Sequence, residues 1–176
     1  MNGQTFSLQP FHKSESSEQK IIVRITRNIH HFTIRYVLIG NLQDVAIAPL
    51  SDTPVRKHEL WADTCFEFFL GIPNSTRYWE FNLSPSGNWN VYRFDGYRQG
   101  MQEETAFTQL PFSIQSQSDS LTLTLDIDLE PIISQQPLKI GVTAVINLNN
   151  QLTYWALTHV GTEADFHLRD SFMIQL

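Results

Sequence analysis

Residues 78–94 read Tyr-Trp-Glu-Phe-Asn-Leu-Ser-Pro-Ser-Gly-Asn-Trp-Asn-Val-Tyr-Arg-Phe, and this stretch decides the fold. Two runs that alternate between apolar and polar residues flank a Ser-Pro-Ser-Gly turn at residues 84–87. Pro is favoured at the second position of a type I turn, and Gly suits the left-handed residue that follows in a three-residue hairpin loop. The stretch therefore predicts a β-hairpin in which Ser84 pairs with Asn88.

The register of this hairpin follows from the side chains that each pairing would bring together, because a slip of one residue moves a whole strand's side chains to the other face. With Ser84 opposite Asn88, apolar residues mostly meet apolar ones. A two-residue loop would instead place Trp89 opposite Asn82, which mixes polar and apolar side chains on both faces. We therefore predict the bulged register. Its apolar face carries Trp79, Phe81, Leu83, Trp89 and Val91, and its polar face carries Tyr78, Glu80, Asn82, Asn90, Tyr92 and Phe94.

The polar face of the hairpin combines an acid, two carboxamides and two tyrosines. An antiparallel sheet commonly packs one face and leaves the other in water, so this face could be a solvated exterior. The same mixture also suits a polyhydroxylated ligand, because tyrosine rings cover its apolar patches and the acid and amides bind its hydroxyls. Both interpretations stay open from the sequence.

Apolar residues recur with a period of two along most of the chain. The clearest run is Leu121–Leu129, where five aliphatic residues alternate with two threonines and two aspartates. Only residues 130–136 could form a short helical turn, and Pro137 ends it. Six or more strands of this kind, without a long amphipathic helix, predict an all-β fold, an antiparallel two-sheet β-sandwich with few or no helices.

The composition is that of a globular protein. A chain of 176 residues, with 41% hydrophobic and 17% charged residues, is expected to form a single domain over residues 1–176. Its net charge of −6 and its lack of basic runs argue against nucleic acid and against an anionic membrane surface as partners. The start shows no signal peptide and the chain has one cysteine, so a cytoplasmic location is expected.

Two polar stretches, His12–Gln19 and Ala48–Glu59, are predicted to be long loops. The second leads directly into Trp61, so it could form one wall of a site or could be a simple crossover. An edge strand without charges could pair across a dimer, which leaves a homo-oligomer open.

Several blocks of the sequence resemble a known group of domains. The blocks are residues 59–69 (ELWADTCFEFF), 80–89 (EFNLSPSGNW), 92–94, 97–98, 100–101, 154–159 (YWALTH), 165–167 and 170–172. They resemble the bacterial DOMON-like domains related to type 9 carbohydrate-binding modules, over nearly the whole chain from about Trp61 onward. The resemblance implies a jelly-roll-like β-sandwich that binds sugar or, in some DOMON relatives, haem.

Type 9 modules clamp a sugar between tryptophans and often hold calcium, so the resemblance implies that Trp61 and Trp155 are candidate sugar platforms. This chain has only Asp63 where those modules tend to show two neighbouring acids. No cofactor is therefore expected, and calcium stays an open alternative.

Glu67 and Glu80 lie on adjacent predicted strands and leave an enzyme open as the alternative. A glycosidase needs two carboxyl groups roughly 5 to 9.5 Å apart across a cleft. No other residues offer a nucleophile with a base, because Cys65 lies inside a predicted strand with no histidine nearby in the sequence.

Histidines near the end of the chain leave two further alternatives open. Two histidines and one carboxylate, His159, Asp165 and His167, can bind iron or zinc, although an acid bonded to a histidine also commonly fixes a loop. Haem would need an axial pair such as Met101 with His159.

The expected function is non-catalytic binding of a small polar ligand, most simply a carbohydrate, on a concave sheet face. A glycoside-acting enzyme or a haem or metal carrier is the alternative. The candidate ligand-binding residues are Trp61, Glu67, Glu80, Asn82, Asn90, Tyr92, Trp155, His159, Asp165 and His167. No residue is assigned to catalysis or to a metal.

Overall fold

A computed structural model of the chain describes residues 3–13 and 18–176. The strands are β1 (Gln4–Pro10), β2 (Lys20–Asn28), β3 (His31–Ile39), β4 (Cys65–Gly71), β5 (Tyr78–Leu83), β6 (Trp89–Phe94), β7 (Gln102–Glu103), β8 (Phe112–Ser116), β9 (Ser120–Asp128), β10 (Lys139–Leu148), β11 (Gln151–Ala156) and β12 (Ile174–Gln175). Short 3-10 helices lie at Leu42–Asp44, Leu60–Ala62 and Arg169–Ser171. Neither described range contains an α-helix. The described part of the chain accordingly offers no helix with the length and apolarity that crossing a bilayer requires.

The strands form one continuous antiparallel sheet in the order β7-β6-β5-β4-β10-β11-β1-β2-β3-β9-β8, with β12 added to β10. Strand β1 joins the two halves of this sheet. Residues 4–8 pair with β2, whereas Gln9 and Pro10 pair with β11. The all-β antiparallel prediction is confirmed, but the two sheets expected from the sequence are linked through β1 into a single curled sheet.

The two halves of the curled sheet pack on one apolar core. The ring of Phe32 on β3 lies 5.3 Å from the ring of Phe68 on β4, and Tyr36 lies 5.2 Å from Phe66. The Tyr36 hydroxyl donates to the Glu67 carbonyl oxygen at 2.6 Å. This bond satisfies the buried phenol, as burial of a polar group requires.

The hairpin of β5 and β6 has the bulged register that its sequence predicts. The Ser84 N–H donates to the Asn88 carbonyl at 2.9 Å, and Gly87 takes the left-handed φ of 86°. Phe81 lies opposite Val91, and Leu83 lies opposite Trp89. The apolar face of the hairpin is part of the main core, so the side-chain partition predicted from alternation is confirmed.

The connections agree with the sequence in part. Residues 130–136 form a single turn rather than a helix, because the N–H groups of Ile132 and Ile133 both donate to the Leu129 carbonyl. The predicted loop His12–Gln19 includes residues 14–17, which lie outside the described residues. In the loop Ala48–Glu59, the Arg56 guanidinium lies 4.4 Å from the centre of the Trp89 ring and fastens the loop to β6.

The polar face of the hairpin is not a solvated exterior, and that interpretation is wrong. Each residue of this face is at most 4% exposed, namely Tyr78, Glu80, Asn82, Asn90, Tyr92 and Phe94. A second, smaller apolar cluster packs on this face, formed by Phe69, Tyr78, Tyr92, Phe94 and Phe172 with Trp61 and Phe166 beside them. The segment that follows β11 therefore covers the face that alternation alone assigned to water.

Candidate functional site

A cavity of about 420 Å³ lies over the polar face of the sheet. Its floor comes from β4 and β5, its sides from β10 and β11, and its rim from the segments after β6 and β11. This volume lies within the range of small-molecule sites. The lining residues are Trp61, Ala62, Glu67, Glu80, Phe94, Arg98, Met101, Val145, Leu152, Tyr154, Ala164, Phe166 and His167.

The strand register places two acids on the floor of the cavity. Glu67 on β4 pairs with Asn82 on β5, and Glu80 lies two residues before Asn82 on the same face. The two glutamates are therefore diagonal neighbours, whose Cβ atoms are about 7 Å apart in a regular sheet. Both side chains are nearly inaccessible, with exposures of 2% for Glu67 and 4% for Glu80.

Glu80 has more polar contacts with the protein than Glu67 has. Its Oε1 accepts a bond from Asn82 Nδ2 at 2.8 Å, and its Oε2 lies 3.7 Å from His167 Nε2. Burial raises the pKa of Glu80 to about 7, against the opposing effects of the Asn82 hydrogen bond and of the Arg98 charge. The carboxyl is therefore partly protonated at neutral pH.

Glu67 lacks the partners that Glu80 has. Its Oε1 is buried and has no hydrogen-bond partner among the described residues. Burial, then repulsion from Glu80, raises the pKa of Glu67 well above its ordinary value. Burial thus favours the neutral form of Glu67, and the hydrogen bond with the Cys65 thiol opposes this effect only in part.

His167 is held as a neutral donor facing Glu80. The Tyr78 hydroxyl accepts from the Arg98 backbone N–H at 3.2 Å and lies 2.8 Å from His167 Nδ1, and we assign the phenol as the donor to this ring nitrogen. The imidazole hydrogen is then on Nε2, which faces the carboxyl of Glu80. Burial, and after it the Arg98 charge, lowers the pKa of His167 to about 4, which keeps the ring uncharged at neutral pH.

Asp165 fixes the rim of the cavity. Its carboxylate accepts from the Arg98 guanidinium at 2.9 Å, from the Tyr97 hydroxyl at 2.5 Å and from the His167 backbone N–H at 3.0 Å. The charge of Arg98 is thereby paired at the rim. Asp165 positions two lining residues without lining the cavity itself.

Asn90 belongs to a separate network on the polar face, outside the lining of the cavity. Its amide nitrogen donates to the Tyr92 hydroxyl and to Glu103 Oε1, and its Oδ1 accepts from Arg56 at 2.7 Å. His58 completes the network through Tyr92 and Glu103. Asn90 has no free polar atom for a ligand, and its role is to join β6 to the loop before Trp61.

The structure brings four of the ten predicted site residues to the cavity, namely Trp61, Glu67, Glu80 and His167. Asn82, Asn90 and Tyr92 share the polar face but lie outside the cavity lining, and Asp165 supports its rim. Trp155 and His159 lie elsewhere.

Trp155 cannot be a platform for a ligand in this cavity, and that prediction is wrong. It pairs with Ala144 on the core face of β11, is 2% exposed, and donates from Nε1 to the Thr153 hydroxyl at 2.9 Å. Its neighbour Tyr154 lies on the opposite face and lines the cavity. Because neighbouring side chains of a strand point to opposite faces, Tyr154 and not Trp155 reaches the cavity.

His159 is also placed away from the cavity. Its Nε2 lies 2.9 Å from the Gln9 carbonyl oxygen, and its ring packs on Phe11 at 5.2 Å. This contact ties the segment after β11 to β1, which is a structural role.

Sequence reasoning missed five substantial lining residues, Phe94, Arg98, Met101, Tyr154 and Phe166. The predicted polar face of the hairpin includes Phe94, and this position was the sequence signal that Phe94 could reach the site. Tyr154 and Phe166 lie within the blocks 154–159 and 165–167, beside the predicted site residues Trp155, Asp165 and His167. Nothing local to Arg98 or Met101 shows that their loop turns toward the sheet.

The residues do not fit the metal and haem alternatives. Of the predicted metal set, His167 bonds to Tyr78, Asp165 to Arg98, and His159 to the carbonyl of Gln9. Met101 lines the cavity but His159 does not, so they cannot form an axial pair there. Among the described residues, one group of three metal-ligating side chains has its ligand atoms within 4.8 Å of one another, namely His30, Asp128 and Glu130. This group lies on the half of the sheet away from the cavity.

Asp63 likewise has protein partners rather than a second acid. Its Oδ1 accepts from the Thr64 N–H at 2.8 Å and from Asn147 Nδ2 at 3.0 Å. Asp63 therefore caps the entry to β4, and it belongs to no cluster of three or more acid, histidine or cysteine side chains among the described residues.

Known proteins match this chain in structure rather than in sequence. No family profile and no curated protein matches it. A solved structure from Bacteroides uniformis ATCC 8492, described as a "putative carbohydrate-binding protein", superposes with a TM-score of 0.74 over 98% of this chain and 84% of that one. The two sequences are 13% identical, so the similarity establishes a shared fold.

Proposed function

We propose that this protein binds a small carbohydrate in the cavity without transforming it. The observation that carries the proposal is one cleft that brings together aromatic rings on its walls and two acids on its floor. Sugar binding is what the description of the structural neighbour from Bacteroides uniformis names. A shared fold supports the assignment, and the chemistry of the cavity gives it a specific basis.

The two kinds of lining residue suit the two kinds of sugar surface. The rings of Trp61, Phe94 and Tyr154 can cover the C–H faces of a pyranose. Hydroxyl groups can bind the polar atoms of Glu67, Glu80 and His167 on the floor. A neutral carboxyl both donates and accepts, so Glu67 in its neutral form can bind a hydroxyl in either direction.

We also propose that the curled sheet is a jelly-roll-like sandwich of the DOMON-like group. Seven of the eight blocks that carry this resemblance, all except residues 170–172, supply residues to the cavity. That coincidence supports a common site for the group.

A glycoside-acting enzyme is the second candidate, because one observation favours it. The pKa of Glu80 is raised to about 7 beside a second buried acid, which is the state that a general acid needs. Buried acids in binding proteins show the same shift, however, so only turnover distinguishes the two functions.

Glu80→Gln tests the site and the candidate functions together. The change keeps the shape and an acceptor oxygen but removes the charge, so a binding protein should lose about 1 kcal/mol, or several-fold in affinity. A glycan array selects the ligand, and calorimetry then compares wild type, Glu80→Gln and the control Asp119→Asn, which removes an exposed acid.

An enzyme would behave differently, because turnover would collapse in Glu80→Gln while binding persisted. Assaying the selected glycan for cleavage checks this outcome. Identical binding by all three proteins without cleavage would show that Glu80 does not contact the ligand.

We propose that binding needs neither haem nor a transition metal. Purified protein should show no visible absorption band and no stoichiometric zinc or iron by elemental analysis, because the candidate ligands bond to protein groups. Near-equimolar metal that disappears in His167→Ala would contradict this expectation.

A further inference from the structure

We propose that Glu67 and Glu80 together form a receptor for a protonated amine, so that the preferred ligand is a sugar with a free amino group. This inference rests on the proposed sugar-binding function and specifies the ligand that the same cavity takes. It is carried by the charge, the hydrogen bonding and the aromatic walls of the cavity.

The cavity has an unbalanced set of ionisable groups. Of its lining residues, Arg98 is the single formal cation, and its guanidinium is paired with Asp165 at 2.9 Å. His167 faces Glu80 as a neutral ring. Neither acid on the floor has a counter-charge of its own, so burial raises the pKa of both and disfavours their ionised forms. A cationic ligand group would provide the missing charge.

The hydrogen bonds of the floor are also incomplete. Glu67 Oε1 is buried without a partner, and Glu80 Oε2 has only a long contact to His167 at 3.7 Å. An ammonium has three donors and no acceptor, so a single group between the two carboxylates can bond to both. A hydroxyl has one donor and can bond to only one ionised acid as a donor.

The walls suit a cation as well. Trp61, Phe94 and Phe166 line the same cavity as the acids. Aromatic faces attract ammonium groups, and the attraction is stronger where water is excluded. The ring carbons of an amino sugar would contact these same faces, so one ligand uses both features.

A metal ion suits the floor less well than an amine. His167 presents its N–H rather than a lone pair to the cavity, because Tyr78 donates to Nδ1. Two carboxylates without a third ligand form a poor metal site. A group that brings its own donors does not need a third ligand.

Binding of an amine should release protons near neutral pH. The groups that face the two acids are Tyr36, Cys65, Tyr78, Tyr92, Arg98 and His167. Burial raises the pKa of Tyr78 and of Tyr92 to about 12, raises that of Tyr36 and of Cys65, and lowers that of His167, so these five side chains stay neutral at pH 7 while Arg98 is paired with Asp165. Glu67 and Glu80 are then the groups that ionise when the cation arrives.

The test compares amino sugars with their neutral parents on the whole chain. Glucosamine, galactosamine and mannosamine are titrated against glucose, galactose and mannose at pH 7, in two buffers of different ionisation enthalpy. We expect at least one amino sugar to bind about tenfold or more tightly than its parent, since charge-assisted bonds replace neutral ones. The buffer dependence should show net proton release for the amino sugar alone.

Glu67→Gln combined with Glu80→Gln removes the receptor while keeping its shape. In this variant the affinity ratio of amino sugar to parent should fall to about one, and proton release should vanish. Asp119→Asn should keep both properties, because this exposed residue lies in the turn between β8 and β9. The circular dichroism spectrum confirms that each variant is folded, and the wild-type buffer comparison stands without any variant.

The outcomes separate this inference from the proposed function. If parent sugars bind as tightly as amino sugars, or if the ratio survives in the double variant, the amine receptor is wrong and sugar binding stands. If none of the six sugars binds while the glycan array selects a neutral glycan, the same conclusion holds. If the array is also blank, both proposals are wrong.

Discussion

Phe81→Ala should lower the free energy of unfolding by about 3 to 5 kcal/mol, the range for an aromatic residue removed from a well-packed core. Phe81 is fully buried at the centre of the apolar face of the hairpin. Its ring stacks on Phe68 at 4.4 Å and meets the edge of Phe107 at 5.6 Å. The truncation leaves a cavity that neighbouring strands, fixed by their hydrogen bonds, cannot close. Urea denaturation measures the loss.

Leu50→Ala is the matched control for this loss. Leu50 is 66% exposed, so its truncation should change stability by no more than about 0.5 kcal/mol. An unchanged unfolding midpoint for Phe81→Ala would mean that Phe81 faces water, and the hairpin register would be wrong.

Glu80→Gln should stabilise the protein, and the gain should depend on pH. The folded pKa of Glu80 is about 7 against an ordinary value of 4.5. The stability associated with its protonated form is fully present below pH 4.5 and is lost as the pH rises through about 7. The shift corresponds to about 3 kcal/mol at pH 8. The variant should therefore match wild type near pH 4.5 and exceed its stability by about that amount at pH 8.

His167 acts in the opposite direction over nearly the same range. Its pKa is lowered from 6.5 to about 4, so its contribution is present above pH 6.5 and is lost as the pH falls through 4. The two groups offset each other in wild type, and the pH profile of wild type alone is uninformative. The difference between variant and wild type reports Glu80 together with its coupling to His167 and Glu67, which lie beside it.

Denaturant unfolding of both proteins between pH 4.5 and pH 8 provides this difference, with Asp119→Asn as the control. The control should differ from wild type by an amount that does not follow the titration of Glu80. A difference between Glu80→Gln and wild type that stays constant over the range would show that Glu80 is ionised throughout.

The local fold could be predicted from the sequence because strand alternation and turn chemistry act over a few residues. Pro85 and Gly87 set the loop, and the loop sets the register that pairs Phe81 with Val91. The alternating run Leu121–Leu129 corresponds to β9, Ser120–Asp128, for the same reason. Glu80 and Asn82 were also assigned correctly to one face, since a period of two requires it.

The chain's own sequence therefore determined the strands, the hairpin register and the division of side chains between two faces. Only the tertiary structure decided which face is covered and by what, because alternation has no information on distant segments. The stretch after β11 has no period, yet it places His167 beside Glu80 and adds Phe166 to the lining of the cavity. The pairing of β10 with β11 likewise decided that Tyr154, and not Trp155, faces this cavity. Burial of the two acids, and with it their raised pKa, is a consequence of that long-range packing.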